Sequence, residues 1–155
     1  MELIALLPKD RTKLGMLEVR DGAKLIETFQ VYAKADNAMA AKHGNAKRNP
    51  IKPFGDTPLG TWNARLGKAF TSVEDIRTYG PNPVLTLWPT GGQALISHEP
   101  KNRRTGIWLH GGDLNASGAL RPTYGCLRVH DSTMARLHEL SKQHGPITTL
   151  ETKEL

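Results

Sequence analysis

The chain carries one cysteine in 155 residues, so no disulfide can form within it and Cys126 is a free thiol in any redox compartment. Aromatic residues make up only 6%. With no recognised nucleic-acid motif either, the net charge of +6 and pI near 9.6 read as affinity for an anionic surface, not as base stacking or groove readout. No segment reaches the ~18 apolar residues of a membrane span. The histidines lack ligand spacing such as His-x-x-x-His and one thiol cannot build a thiolate cluster, so neither a metal nor another cofactor is expected. A Gly-x-Ser-x-Gly elbow and a phosphate loop are also missing, and Ser117 has no obvious partner, which argues against serine-hydrolase and nucleotide chemistry. Residues 1–8 have neither a basic start nor an apolar run long enough for a secretory leader and read better as a first strand. There are no internal repeats and no low-complexity tracts.

What the chain does have is punctuation. Fifteen glycines and ten prolines separate short apolar stretches, which predicts a mainly β domain, a sandwich or a partly open barrel. One domain, residues 1–155, is long enough to bury roughly two thirds of its unfolded surface. Asp21-Gly22 between strand-like segments is the strongest short hairpin signal, with strand continuing to about Tyr32. Residues 36–53 predict a short helical excursion around Ala38 to His43 and a long surface loop. Strands are expected at 61–66 and 83–88 and another short one at 93–97, with Gly91-Gly92 as a turn. Met134, Leu137 and Leu140 recur at helical spacing after an Asp131 or Ser132 cap, and Gly145-Pro146 ends that late helix. Lys47-Arg48, Lys101, Arg103 and Arg104 read as solvated loop charges. His98 reads as a plain loop residue, and His130 as a surface or cap residue.

The stretch from His110 to Arg128 carries the chemistry. His110-Gly111 is followed, sixteen positions after the histidine, by Cys126 within Thr123-Tyr124-Gly125-Cys126-Leu127-Arg128. A thiol of ordinary pKa near ~8.5 is only a few per cent thiolate at neutral pH, so a reactive one needs a base or a cation beside it. An imidazole and the cations Arg121 and Arg128 are at hand, and the cations are expected to favour the anion. Residues 106–110 alternate as a strand, with Ile107 and Leu109 on one face and Trp108 and His110 on the other. Residues 126–129 alternate likewise, pairing Cys126 with Arg128 on the polar face. Between them, residues 111–122 are rich in turn formers, too irregular for a helix or strand, and include Asp113, whose default role is in the turn. Gly125 lets backbone N–H groups approach a ligand near Tyr124 to Cys126. The bland alternative for Cys126 is a buried structural cysteine.

These residues resemble the catalytic domain of the L,D-transpeptidase family (YkuD-type) of bacterial cell-wall enzymes. Members carry a His-Gly pair, a Gly-rich loop often containing an arginine near its end, and then Ser/Thr-x-Gly-Cys-x-Arg. This chain supplies His110-Gly111, Arg121, Thr123, Gly125, Cys126 and Arg128 at matching positions. Thr57-Pro58-Leu59-Gly60-Thr61-Trp62 is similar to the family's Thr-Pro-x-Gly-x-aromatic turn, and residues 145–150 to its closing strand. Many members have histidine directly before Gly-Cys where this chain has Tyr124, which leaves a donor role for that side chain open. The resemblance runs from about Thr57 onward and touches the first fifty residues only loosely.

The resemblance implies a β-sandwich of mixed sheets with one late helix and the catalytic loop over one sheet. It also implies a peptidoglycan-modifying cysteine enzyme that attacks the third-residue carbonyl of a stem tetrapeptide and releases D-alanine. The resulting thioester passes to an amine or to water. Cys126 is then the nucleophile, His110 the general base and acid, and the Gly111 carbonyl the orienter of its ring. Arg128, Arg121, Thr123, Tyr124, Gly125 and Trp108 would face the substrate. Action in the periplasm or cell wall implies either a trimmed leader or a leaderless export route. On the latter, the protein is an antibacterial effector with an immunity protein as partner. A non-catalytic wall-binding module, or a cysteine enzyme cutting another bond of the same polymer, are the alternatives.

Overall fold

The computed structural model describes residues 1–155. In chain order its elements are β1 (Glu2–Leu7), β2 (Gly15–Asp21), β3 (Lys24–Val31), α1 (Asn37–Lys42), β4 (Gly60–Leu66) and α2 (Val73–Tyr79), then β5 (Leu85–Gly91), α3 (Gly92–His98), β6 (Trp108–His110), β7 (Leu127–Arg128), α4 (Asp131–His144) and β8 (Thr149–Glu154). The eight strands form one mixed sheet in the order β3-β2-β1-β8-β4-β5-β6-β7. Pairing is parallel between β1 and β8 and between β6 and β7, and antiparallel elsewhere. The ends of the sheet meet where Tyr32, just past β3, bridges Arg128 of β7. There the Tyr32 N–H donates to the Arg128 carbonyl (2.8 Å) and the Arg128 N–H to the Tyr32 carbonyl (2.9 Å). The expected mainly β fold with mixed pairing and a late helix is therefore present as a continuous sheet curled until it nearly closes.

Alternation explains which face turns inward. Leu3, Ala5 and Leu7 of β1 and Leu17 and Val19 of β2 are buried in the same core as Trp62, Leu109, Leu127 and Leu150, with outward residues between them. β8 is central in the sheet and cannot leave a polar group unpaired on its inner face. Its inward Thr152 accepts the Trp62 indole N–H (3.1 Å) and donates to the Pro58 carbonyl (2.8 Å). α4 seals the core with Met134, Leu137 and Leu140, the helical spacing read from the sequence. No helix is long and apolar enough to cross a membrane.

Several local expectations are corrected. Residues 93–97 lie in α3, not in a strand. The strand pattern there was too short to separate period two from period 3.6. α4 begins one residue earlier than expected, with His130 at its N-cap position and no side-chain capping bond. The Asp131 carboxylate instead accepts the Gly112 N–H (2.9 Å). α2 was not anticipated, although Ser72 caps it through the Asp75 N–H and Glu74 and Asp75 fill its first turn. Arg48 and Arg104 are not solvated charges: Arg48 pairs with Asp56 at 3.1 Å, and Arg104 is 4% exposed. His98 closes α3 and its Nδ1 donates to the Arg104 carbonyl (3.2 Å). α1 (Asn37–Lys42), capped by Asp36, matches the helical excursion expected near Ala38.

Truncating Leu150, 1% exposed on β8, leaves a cavity against both its neighbours, and L150A is expected to lose about 2–5 kcal/mol. A urea titration reads this as a lower midpoint at unchanged slope.

Candidate active site

β6 and β7 lie side by side and parallel, with Leu109 opposite Leu127 and His110 opposite Arg128. Residue alternation then turns Leu109 and Leu127 into the core and His110, Arg128 and Cys126 to the other side. Cys126 precedes Leu127 directly, so it stands diagonal to His110, about 8 Å away between backbones for ordinary strand spacing and rise. Both side chains line one cleft of about 1070 Å³. Of the sequence-predicted residues, Trp108, Arg121, Thr123, Tyr124, Gly125 and Arg128 also line it. Gly111 does not. Its carbonyl lies behind the histidine and holds the ring.

That carbonyl settles the tautomer. Nδ1 of His110 is 2.6 Å from the Gly111 oxygen, and a carbonyl can only accept. Nδ1 therefore carries the proton and Nε2 is left as the basic nitrogen. The same oxygen accepts a second bond from Nη1 of Arg128 (3.0 Å), which also reaches the Asp113 carbonyl at 3.4 Å. Gly112 has φ +118, and a Cβ there would strike both Arg128 Nη1 and the Thr78 carbonyl. Only glycine lets the loop pass this closely. Tyr79 packs edge-on to the imidazole at 5.0 Å and tilts against Trp108, on which Phe70 stacks. His110 is 2% exposed. Burial, partly offset by the Gly111 bond and reinforced by Arg128, lowers its pKa to about 4.

The Cys126 sulfur accepts the Trp108 N–H (3.4 Å), and the thiol donates to the Gly106 carbonyl (3.5 Å). Burial pushes the thiol up. The Trp108 N–H, Arg104 and Arg128 pull in the opposite direction without reversing it. Of the two cations expected to favour the anion, Arg128 does so and Arg121 is not among the groups that act on the thiol, and desolvation outweighs the cations in the net direction. With thiol raised and imidazole lowered, both groups are neutral at pH 7 in the resting site.

The turn before Cys126 is built by its own side chains. The Thr123 hydroxyl donates to the Cys126 carbonyl (2.8 Å) and accepts the Gly125 N–H (3.0 Å), and the Gly125 carbonyl accepts the Thr57 hydroxyl (2.7 Å). Thr123 and Gly125 therefore shape the turn through bonds already made. The N–H groups of Tyr124 and Cys126 make no hydrogen bond within the chain. Tyr124, 60% exposed, and Arg121, also exposed, stand free on the cleft wall. Seven of the 22 lining residues are hydrophobic and five are arginines, against Asp36 and Asp113. A wide, polar, cationic groove suits a polar anionic chain better than a small apolar ligand.

Two contributors escaped the sequence reading. Tyr79 sits on α2, and the Ser72-x-x-Asp75 capping pattern could have found that helix. Arg104 carried no signal, since its burial comes from a loop distant in sequence.

No protein-family model matches the chain, and no curated protein matches it. Among solved structures, the Bdellovibrio bacteriovorus protein Bd1075 is similar at 17% identity and TM-score 0.55, over 96% of this chain and 46% of that one. What is shared is the fold. The L,D-transpeptidase 1 of Mycobacterium tuberculosis aligns at 10% identity and TM-score 0.40, over 97% of this chain and 60% of its own. This chain thus spans less than half the length of Bd1075.

Burying a neutral imidazole makes stability depend on pH. The folded pKa of about 4 lies below the ordinary 6.5, so the unfolded state takes the proton first. Stability falls as pH drops from about 6.5 to about 4, by up to ~3 kcal/mol. His110→Gln, whose amide can still donate to Gly111, should remove that part of the pH dependence. Urea midpoints at pH 7 and pH 4.5 for both proteins measure it.

Proposed function

We propose that this protein is a cysteine acyl-transfer enzyme of the L,D-transpeptidase kind acting on peptidoglycan stem peptides, in the periplasm or wall where that polymer lies. One observation carries the reading: the chain's single thiol shares a cleft with an imidazole whose tautomer is set by Gly111. The motif running from His110 to Arg128 and the groove's polar, arginine-rich lining support the substrate class.

In this reading the Cys126 sulfur attacks the carbonyl of the third stem residue while its proton passes to Nε2 of His110. The N–H groups of Tyr124 and Cys126 receive the negative charge that forms on the carbonyl oxygen. The tetrahedral adduct collapses by breaking the peptide bond, and the imidazolium returns the proton to the departing D-alanine amine. A thioester remains. His110, neutral again, takes a proton from the incoming amine or water, which attacks the thioester and frees the thiol. An amine acceptor gives a cross-link or an exchanged D-amino acid, and water gives a shortened stem. The cationic Arg121 on the wall and Arg128 beneath it favour the carboxylates that such stems carry.

Mass spectrometry of purified muropeptides incubated with the protein tests this. Loss of D-alanine from tetrapeptides is expected, C126A should abolish it while retaining wall binding, and His110→Gln should slow it by ~10²–10⁴-fold. Cleavage between sugar and peptide, or no product with the native protein, would reject the reading. Because the base is held near pKa 4, kcat/KM should persist down to pH 5 and fall only towards pH 4, whereas an unperturbed histidine would lose it near 6.5.

A further inference from the structure

Residues 43–57 form a loop held both by its own bonds and by one side chain from outside it. Arg48 and Phe54 occupy the left-handed region at φ 53 and 62, which side-chain-bearing residues rarely adopt. Asn45 staples part of the loop by donating to the Asn49 and Pro53 carbonyls (3.1 Å each). From outside the loop one guanidinium gathers three of its carbonyls. Arg104 donates through Nη1 to the carbonyls of Pro50 and Asp56, the latter at 2.8 Å, and through Nη2 to that of Gly55 (2.6 Å). Its own backbone is pinned to the end of α3, with its N–H on the Ser97 carbonyl (3.0 Å) and its carbonyl on His98 Nδ1 (3.2 Å).

The same Arg104 Nη2 lies against the turn before Cys126. At Gly125, φ +122, an added Cβ would lie 1.8 Å from Arg104 Nη2 and 2.8 Å from the Gly55 carbonyl. No residue but glycine can stand there without expelling the arginine. No carboxylate forms an ion pair with Arg104: the Asp56 side chain is engaged by Arg48 and by the Ala35 N–H, and only the Asp56 backbone carbonyl meets Arg104. Three neutral carbonyls thus hold a cation that is 4% exposed, one residue from the thiol.

We propose that Arg104 is a positioning residue that ties residues 50–56 beneath the Cys126 turn and supplies a fixed positive charge against which the Cys126 thiolate forms. The inference rests on the reading of Cys126 as the nucleophile. When the sulfur proton moves to His110 Nε2, the anion left behind gains a cation that needs no reorganisation, since its donors are already locked on carbonyls. Of the other groups lining the cleft around the sulfur, His110 of β6 receives the proton, Arg128 of β7 is a second buried cation whose Nη1 holds the Gly111 and Asp113 carbonyls beside the imidazole, Arg121 and Tyr124 are exposed, and the Tyr79 phenol of α2 is pushed up by burial. Burial of the thiol is opposed by Arg104 ahead of Arg128, consistent with this ranking. Nothing in the local sequence distinguishes Arg104 from Arg103, which is exposed.

The test is the pH dependence of Cys126 alkylation by iodoacetamide, read by intact mass. It requires no peptidoglycan turnover, so a negative muropeptide assay leaves it standing. R104Q, neutral but still able to donate to a carbonyl, should raise the alkylation midpoint by about one pH unit, slowing alkylation at pH 7 by roughly tenfold. R104K, which keeps the charge without the fork, should melt at lower temperature yet hold the midpoint within about 0.3 units of the native protein. A folded R104Q with the native midpoint overturns the proposal, as does an R104K that shifts as far as R104Q. Should R104Q fail to fold, R104K decides alone: a retained midpoint with reduced melting temperature supports the split between clamp and charge, and a midpoint raised by a full unit rejects it.

Discussion

The parallel pairing of two very short strands, β6 and β7, is the constraint on which the site depends. Leu109 and Leu127 are both unexposed core residues and face each other in register. Sliding one strand by a single residue would bring Arg128 and Cys126 into the apolar core and expel Leu127, at the cost of a cation stripped of the carbonyls that now hold it and a lost apolar contact. The hydrophobic requirement of two leucines therefore fixes where the imidazole stands relative to the sulfur. The closing bridge from Tyr32 to Arg128 adds a second, independent hold on β7, which is otherwise an edge strand of two residues.

Around this pair the protein uses arginines in an unusual manner. Arg128 and Arg104 are both nearly unexposed, and each donates to backbone carbonyls instead of carboxylates, Arg128 through Nη1 alone. A carboxylate partner would neutralise each charge locally, while a carbonyl shapes a loop and leaves the charge able to act at a distance. Each arginine abuts a glycine, Gly112 and Gly125, that has no room for a Cβ. Glycine and arginine thus form matched pairs in which the backbone yields space and the guanidinium fills it.

The electrostatic state that results is not the one charge counting suggests. Nearby cations alone imply an ionised thiol, yet a half-buried sulfur and a buried imidazole both prefer neutrality. At rest the thiol and the imidazole are therefore an uncharged pair, and the N–H groups of Tyr124 and Cys126 make no hydrogen bond within the chain.

Much of this was legible in the residues. Alternation in 106–110 and 126–129 identified the two strands and the face holding His110 and Cys126, Asp21-Gly22 marked the hairpin, and the spacing of Met134, Leu137 and Leu140 marked α4, because these are local patterns set by backbone period. The helix at 92–98, the placement of β8 between β1 and β4, and the burial of Arg104 were not legible. Each depends on partners far along the chain: Gln93 capping Leu59, Thr152 meeting Trp62, and a guanidinium meeting the carbonyls of Pro50, Gly55 and Asp56. The amino-acid order by itself determined which side chains share a strand face, since that follows from a two-residue repeat. Only the tertiary structure decided which of them are dry, and so which are charged, because desolvation is a property of the assembled neighbourhood and not of any short run of residues.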